Sequence, residues 1–158
     1  MKEYIRCETA AIVTLLSLPL ISWAVTPLVD RWYSQDQVEI GAILFATHCS
    51  GCHGKKAEGA LNWKVRLPNG SLPPPPLNGT AHSWHHQIPV LRRAINEGGN
   101  AFGGNMPGFK EKLSEPQIDA VIAWFQSLWS DEIYSLWSGQ GVDMIDQPEI
   151  IKELLDGI

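Results

Sequence analysis

The chain has 158 residues, 44% hydrophobic content and a formal net charge of −5, which suits one domain with extensions and argues against a nucleic-acid partner. The charge is unevenly spread. Residues 25–129 carry nine bases and eight acids, a net of +1, whereas from Ser130 onward seven acids stand against Lys152 alone, a net of −6.

Residues 1–8 mix Lys2 and Arg6 with Glu3 and Glu8, and residues 9–29 then run 21 positions without a charge. Two readings stand. A signal peptide would use the apolar core 10–21 and be cleaved after Ser22-Trp23-Ala24. An uncleaved anchor would use the whole run, since about 20 apolar residues span a bilayer. Both predict export. Of the three cysteines, Cys7 lies in this segment and leaves no disulfide framework.

After a short linker, Ser34-Gln35-Asp36-Gln37 has the form of a capping box. Val38, Gly41, Ala42 and Phe45 follow at helical spacing and lead to Cys49-Ser50-Gly51-Cys52-His53-Gly54. Two cysteines three apart followed at once by histidine are the attachment signature of a c-type haem. The spacing has a chemical reason: two thiols in one turn can each add to a vinyl group on the porphyrin edge, and the next side chain is delivered under the ring. A redox dithiol or a zinc site is the competing reading of these five residues alone.

Residues 54–79 lack periodicity and contain the turn Leu67-Pro68-Asn69-Gly70 and the run Pro73-Pro74-Pro75-Pro76. Pro89 predicts a helix start, with Leu91, Ala94 and Ile95 as its stripe and Gly98-Gly99 as its end. A glycine-rich loop reaches Asn105-Met106-Pro107-Gly108-Phe109. A second capping box, Ser114 to Gln117, opens a helix running to about Trp129. Its face of Ile118, Val121, Ile122, Phe125 and Leu128, with a second patch of Ala120, Ala123 and Trp124, predicts burial on two sides. Beyond Trp129 the pattern weakens: Tyr134, Leu136 and Trp137 are apolar, Ser138-Gly139-Gln140-Gly141 breaks the chain, and 148–155 suits one short amphipathic helix.

In this order the motifs make residues 33–129 resemble class I c-type cytochromes. Gly41 and Phe45 match the family's first helix, Cys49, Cys52 and His53 its haem motif, Pro75-Pro76-Leu77 its Pro-x-Leu segment, Met106-Pro107 its methionine loop, and Trp124 the aromatic of its last helix. The resemblance implies an all-α fold, three to four helices around one covalently bound haem c per chain. It implies thioethers at Cys49 and Cys52, with His53 and Met106 as the iron ligands. A carbonyl in the Pro75-Pro76 segment would fix the other ring nitrogen of His53. Gly41 would let the first and last helices approach closely, with Phe45 and Trp124 packed across the crossing.

Two groups stay open beside this frame. His82, His85 and His86 suit a polar surface turn, with Trp84 against the haem edge, or a metal site or replacement axial ligand. Arg92 and Arg93 suit haem propionates or a solvated helix face. No catalytic triad, phosphate loop or pair of catalytic carboxylates stands out.

The expected plan is a signal peptide at 1–24, or an anchor extending to 29, then a linker at 25–34, a haem domain at 35–129 and an acidic extension at 130–158. The expected function is non-enzymatic: one-electron transfer between redox protein partners at the periplasmic side of a bacterial membrane, without a small-molecule substrate. The alternative is an electron-relaying haem subunit of a larger membrane oxidoreductase. A sensor or peroxidase-like enzyme with an open iron site is a third class.

Overall fold

The computed structural model describes residues 29–139. The expected export segment, all but its last residue, and the expected helix at 148–155 lie outside that range. The described fold is all-α: α1 (Gln35–His48), α2 (Ser50–His53), α3 (Ile88–Glu97), α4 (Glu115–Ser127) and α5 (Asp131–Ser138), with two 3-10 turns at His82–His85 and Asn100–Phe102. Five helices thus stand where three to four were expected, and two of the five are short. Among the described residues no helix is long and apolar enough to cross a membrane.

Both capping boxes form. The Ser34 N–H donates to Gln37 Oε1 at 2.9 Å and the Gln37 N–H returns to Ser34 Oγ at 3.3 Å. At α4, the Ser114 N–H donates to Gln117 Oε1 at 2.9 Å. These bonds satisfy amide groups that the first helical turn would leave without acceptors.

α1 crosses α4, and α4 is buried on two sides as its sequence predicts, with Ile118, Ala120, Val121, Ile122, Ala123 and Phe125 all inaccessible. Gly41 makes the crossing possible. A methyl group there would land on the Ala120 carbonyl and lie 2.8 Å from Trp124 Cβ. One turn on, Phe45 is buried and its ring centroid sits 4.2 Å from that of Trp124. α3 packs Leu91 and Ile95 into the same core. It is tied to α4 by Arg92, whose Nε and Nη2 donate to Asp119 at 2.6 and 2.8 Å. The Arg92 guanidinium is therefore engaged with a carboxylate of the protein itself.

α5 is an element the weak periodicity did not disclose. Ser130 caps it, accepting from the Ile133 N–H at 3.3 Å, and Gly139 ends it in the left-handed region at φ 74°. It packs over the 3-10 turn at His82–His85, where Trp137 Nε1 donates to the His86 carbonyl at 2.9 Å. Residues 31–33 clamp onto α4 and α5. Arg31 donates to the carbonyls of Gln126 (3.2 Å) and Trp129 (3.4 Å), pairs with Asp131 at 2.5 Å, and stacks 4.0 Å over the Tyr134 ring. A cation at the C-terminal carbonyls of a helix also complements the helix dipole. Trp32 Nε1 donates to the buried Gln126 side chain at 2.6 Å.

Candidate functional site

α1 ends at Cys49, whose N–H donates to the Phe45 carbonyl at 2.9 Å, and α2 carries Cys52 and His53 through one further turn. Both cysteines are free thiols, Cys49 half-buried and Cys52 exposed. Burial, with Cys52 nearby, pushes the Cys49 thiol up to about 11.

His53 is buried, and its Nδ1 lies 3.0 Å from the Pro75 carbonyl oxygen. A carbonyl can only accept, so Nδ1 carries the proton and Nε2 keeps its lone pair. Burial pushes the imidazole below its usual pKa, partly offset by the Pro75 bond, so the ring is neutral at pH 7. This is the form that binds a metal ion. The expectation that a proline-segment carbonyl would orient this ring is met at Pro75.

Several neighbours hold that acceptor in place. Gly59 lies so close that a methyl group there would meet Pro76 N and come within 2.5 Å of the Pro75 carbonyl carbon. The Gly59 N–H donates to the His53 carbonyl at 2.8 Å, and the Ala60 N–H to that of Pro74 at 2.9 Å. The Leu77 N–H donates to Ala57, and the Leu77 carbonyl accepts from Trp129 Nε1, both at 2.8 Å. Trp129 and Gly59 are supporting residues that sequence reading missed. A tryptophan just past a helix end was the available signal for the first, and a glycine in the loop after the haem motif for the second.

The methionine loop is anchored at both ends. The Gly99 N–H donates to the Met106 carbonyl at 2.9 Å, and the Phe109 N–H to Ile95 at 2.9 Å. A side chain on Gly98, at φ 89°, would come within 2.5 Å of the Met106 carbonyl oxygen, so the approach needs glycine. The loop is joined to the proline-containing connection by the Leu72 N–H to the Gly103 carbonyl (2.8 Å) and by Asn105 Nδ2 to Ser71 Oγ (2.8 Å). The Met106 side chain is half-buried against the same apolar core that receives Cys49, Leu77 and Trp84.

The remaining candidates separate from these. His82 stacks on Trp63 with ring centroids 5.1 Å apart and stands 5.4 Å from His86, and Trp84 lies 3.9 Å from His85. Among the described residues no group of three or more His, Cys, Asp or Glu side chains is placed to hold a metal ion.

The donor set fits a c-type haem by its chemistry: two thiols within one turn, a neutral imidazole with one nitrogen already committed, and a thioether on an anchored loop over the same core. The family model described as cytochrome C oxidase, cbb3-type, subunit III matches residues 36–125, more than half of the chain. No solved structure matches the chain.

Proposed function

We propose that this chain, which belongs to the cytochrome c domain family of the cbb3-type subunit III kind, is a one-electron carrier. Membership of that family implies haem c and electron transfer between redox proteins. The finer assignment is that Cys49 and Cys52 hold the haem as thioethers and that His53 and Met106 are its axial ligands. The haem, when bound, supplies a single-electron ferrous–ferric couple, and histidine–methionine ligation sets that couple high and leaves no site for a substrate. His53 contributes Nε2, with its ring fixed by the Pro75 carbonyl. The anchored loop at 98–109 presents the Met106 thioether, packed against the core that also receives Cys49 and Leu77. The observation that carries the reading is the 3.0 Å contact from His53 Nδ1 to Pro75, one residue from Cys52.

Visible spectra of the purified oxidised and reduced protein test it: haem c bands with a methionine–iron charge-transfer band are expected. Rapid, near-stoichiometric carbon monoxide binding to the reduced protein would overturn the closed site and favour a sensor or peroxidase-like enzyme. Haem that does not stay with the chain on denaturing electrophoresis would overturn covalent attachment.

The family description favours a second reading, in which the chain relays electrons inside a larger membrane oxidoreductase at the periplasmic side. The mature N-terminus, read by mass spectrometry, separates the two. Retention of residues 9–29 supports the anchored subunit, and cleavage after Ala24 supports a diffusible carrier.

A further inference from the structure

Between Glu58 and Glu97 the chain holds no acid, and within that stretch Leu61-Asn62-Trp63-Lys64-Val65-Arg66-Leu67 sets bases beside apolar residues. Leu61, Val65 and Leu67 are exposed to 97%, 64% and 44%. Exposed apolar side chains are ordinarily scattered singly; three aliphatic ones within a single loop make a patch, and a patch marks a binding surface.

The loop's own bonds set its shape. The Trp63 N–H donates to the Ala60 carbonyl at 3.2 Å, the Val65 N–H to Asn62 at 2.9 Å, and the Leu67 N–H to Ser71 at 2.9 Å. The Ala60 N–H ties the base of the loop to the Pro74 carbonyl at 2.9 Å. Trp63 is the residue that packs inward, stacked on His82 with ring centroids 5.1 Å apart. Arg66 Nη1 donates to the Gly70 carbonyl at 2.6 Å, and Lys64 Nζ stands 5.3 Å from the centre of the Trp63 ring. The result is a bonded protrusion with aliphatic tips and a cationic flank.

We propose that loop 61–67 is a docking surface for an anionic lipid bilayer. Leu61, Val65 and Leu67 enter the boundary between headgroups and acyl chains, while Lys64 and Arg66 keep their charged ends at the lipid phosphates. The negative surface potential of such a bilayer favours each base near it. An acidic protein would match the charge equally, but protein interfaces are poor in Lys, and their hot spots favour Trp and Tyr over Leu and Val. Here the indole is turned toward His82 and the aliphatic groups are outermost. The contact would hold the haem domain against a membrane at a point of its own, whatever becomes of residues 9–29 and whichever residues ligate the iron.

The test uses the purified full-length, haem-loaded protein with vesicles of phosphatidylcholine alone or of phosphatidylcholine and phosphatidylglycerol in equal amounts. Mass spectrometry follows acylation of Lys64, and the lipid concentration that half-protects it is the readout. At about 10 mM salt, where the screening length is roughly 30 Å, only the anionic vesicles are expected to protect. R66Q removes one base and should raise the half-protecting concentration about fivefold. L61S/V65S leaves the charge unchanged and should raise it by about tenfold. Equal acylation with the two kinds of vesicle, or a half-protecting concentration unchanged in either variant, would overturn the proposal. So would protection of Lys64 by polyglutamate but not by anionic vesicles, which would make the occupant an acidic protein. A changed visible spectrum in L61S/V65S would assign these side chains to the haem pocket and overturn it as well.

Discussion

Replacing Gly41 with alanine puts a methyl group into the α1–α4 crossing, 2.6 Å from the Ala120 carbonyl carbon and 2.8 Å from Trp124 Cβ. Ordinary contacts of this kind lie near 3.5–4.0 Å, so the helices must part by about 1 Å, a gap that forfeits roughly a quarter to a half of each dispersion contact along the seam. The obstructing atoms belong to helix backbone and a Cβ, which cannot swing aside. The cost therefore falls toward the upper end of overpacking, about 3 kcal/mol. Alanine returns up to about 1 kcal/mol through helix propensity, leaving a net loss of about 2 kcal/mol. For a domain near 110 residues that lowers the midpoint by roughly 8 °C. Thermal unfolding followed by far-ultraviolet circular dichroism measures it. Gly51→Ala is the internal control, because a methyl group there meets nothing within 4 Å and should leave the midpoint unchanged or raise it. A Gly41→Ala midpoint equal to or above the parent's would refute the close-approach argument.

Three further outcomes are expected. Gly59→Ala, at φ 65° and against Pro75 and Pro76, should lower stability by about 1–3 kcal/mol and shift the reduction potential, since the Pro75 acceptor of His53 has to move; a redox titration with an unchanged potential would count against that coupling. Arg31→Ala should cost about 2 kcal/mol through the Tyr134 stack and the Gln126 and Trp129 carbonyls, whereas Asp131→Asn, whose carboxylate is 63% exposed, should cost under about 1 kcal/mol; equal losses in denaturant unfolding would contradict the ranking. The His82 pKa is lowered by burial first, and further by His86, His85 and Lys64. A base with a depressed folded-state pKa contributes stability above its unfolded value of about 6.5 and loses it as the pH falls through the lower folded value. His82→Gln should therefore flatten the acid side of the midpoint–pH curve, and a curve running parallel to the parent's would exclude the effect.

Local chemistry made much of this fold legible in advance. Ser34 with Gln37 and Ser114 with Gln117 name two helix starts, Gly98 names an end, and Gly41 with Phe45 and Trp124 name the crossing, because each signal acts within a turn or through one steric demand. The Pro75 acceptor was legible through the family's Pro-x-Leu segment. α5 was not, because eight residues offer too little periodicity; its evidence was the Ser130 cap, which went unread, and Gly139, read only as a break in the chain. The Arg31 clamp was equally hidden, since its partners on α4 and α5 lie 95–103 positions away and no short-range pattern encodes them. Arg92 shows the converse limit: the sequence left it between a haem propionate and a solvated helix face, and gave no sign of its Asp119 partner, 27 residues on.

Tension applied to the chain ahead of Val29 would be taken up first at Arg31 and Trp32, and through them at the C-terminal end of α4 and the first turn of α5. Along the chain the turn bearing Cys49, Cys52 and His53 is separated from the grip by the whole length of α1, and the one lateral link is Trp129, which also holds the Leu77 carbonyl beside the Pro75 acceptor. The clamp is placed as a strain relief, like the collar on a cable, with a pull on residue 29 shared among Gln126, Trp129, Asp131 and Tyr134. Proteins gripped by their N-terminal segment should yield at Arg31 before the visible spectrum changes.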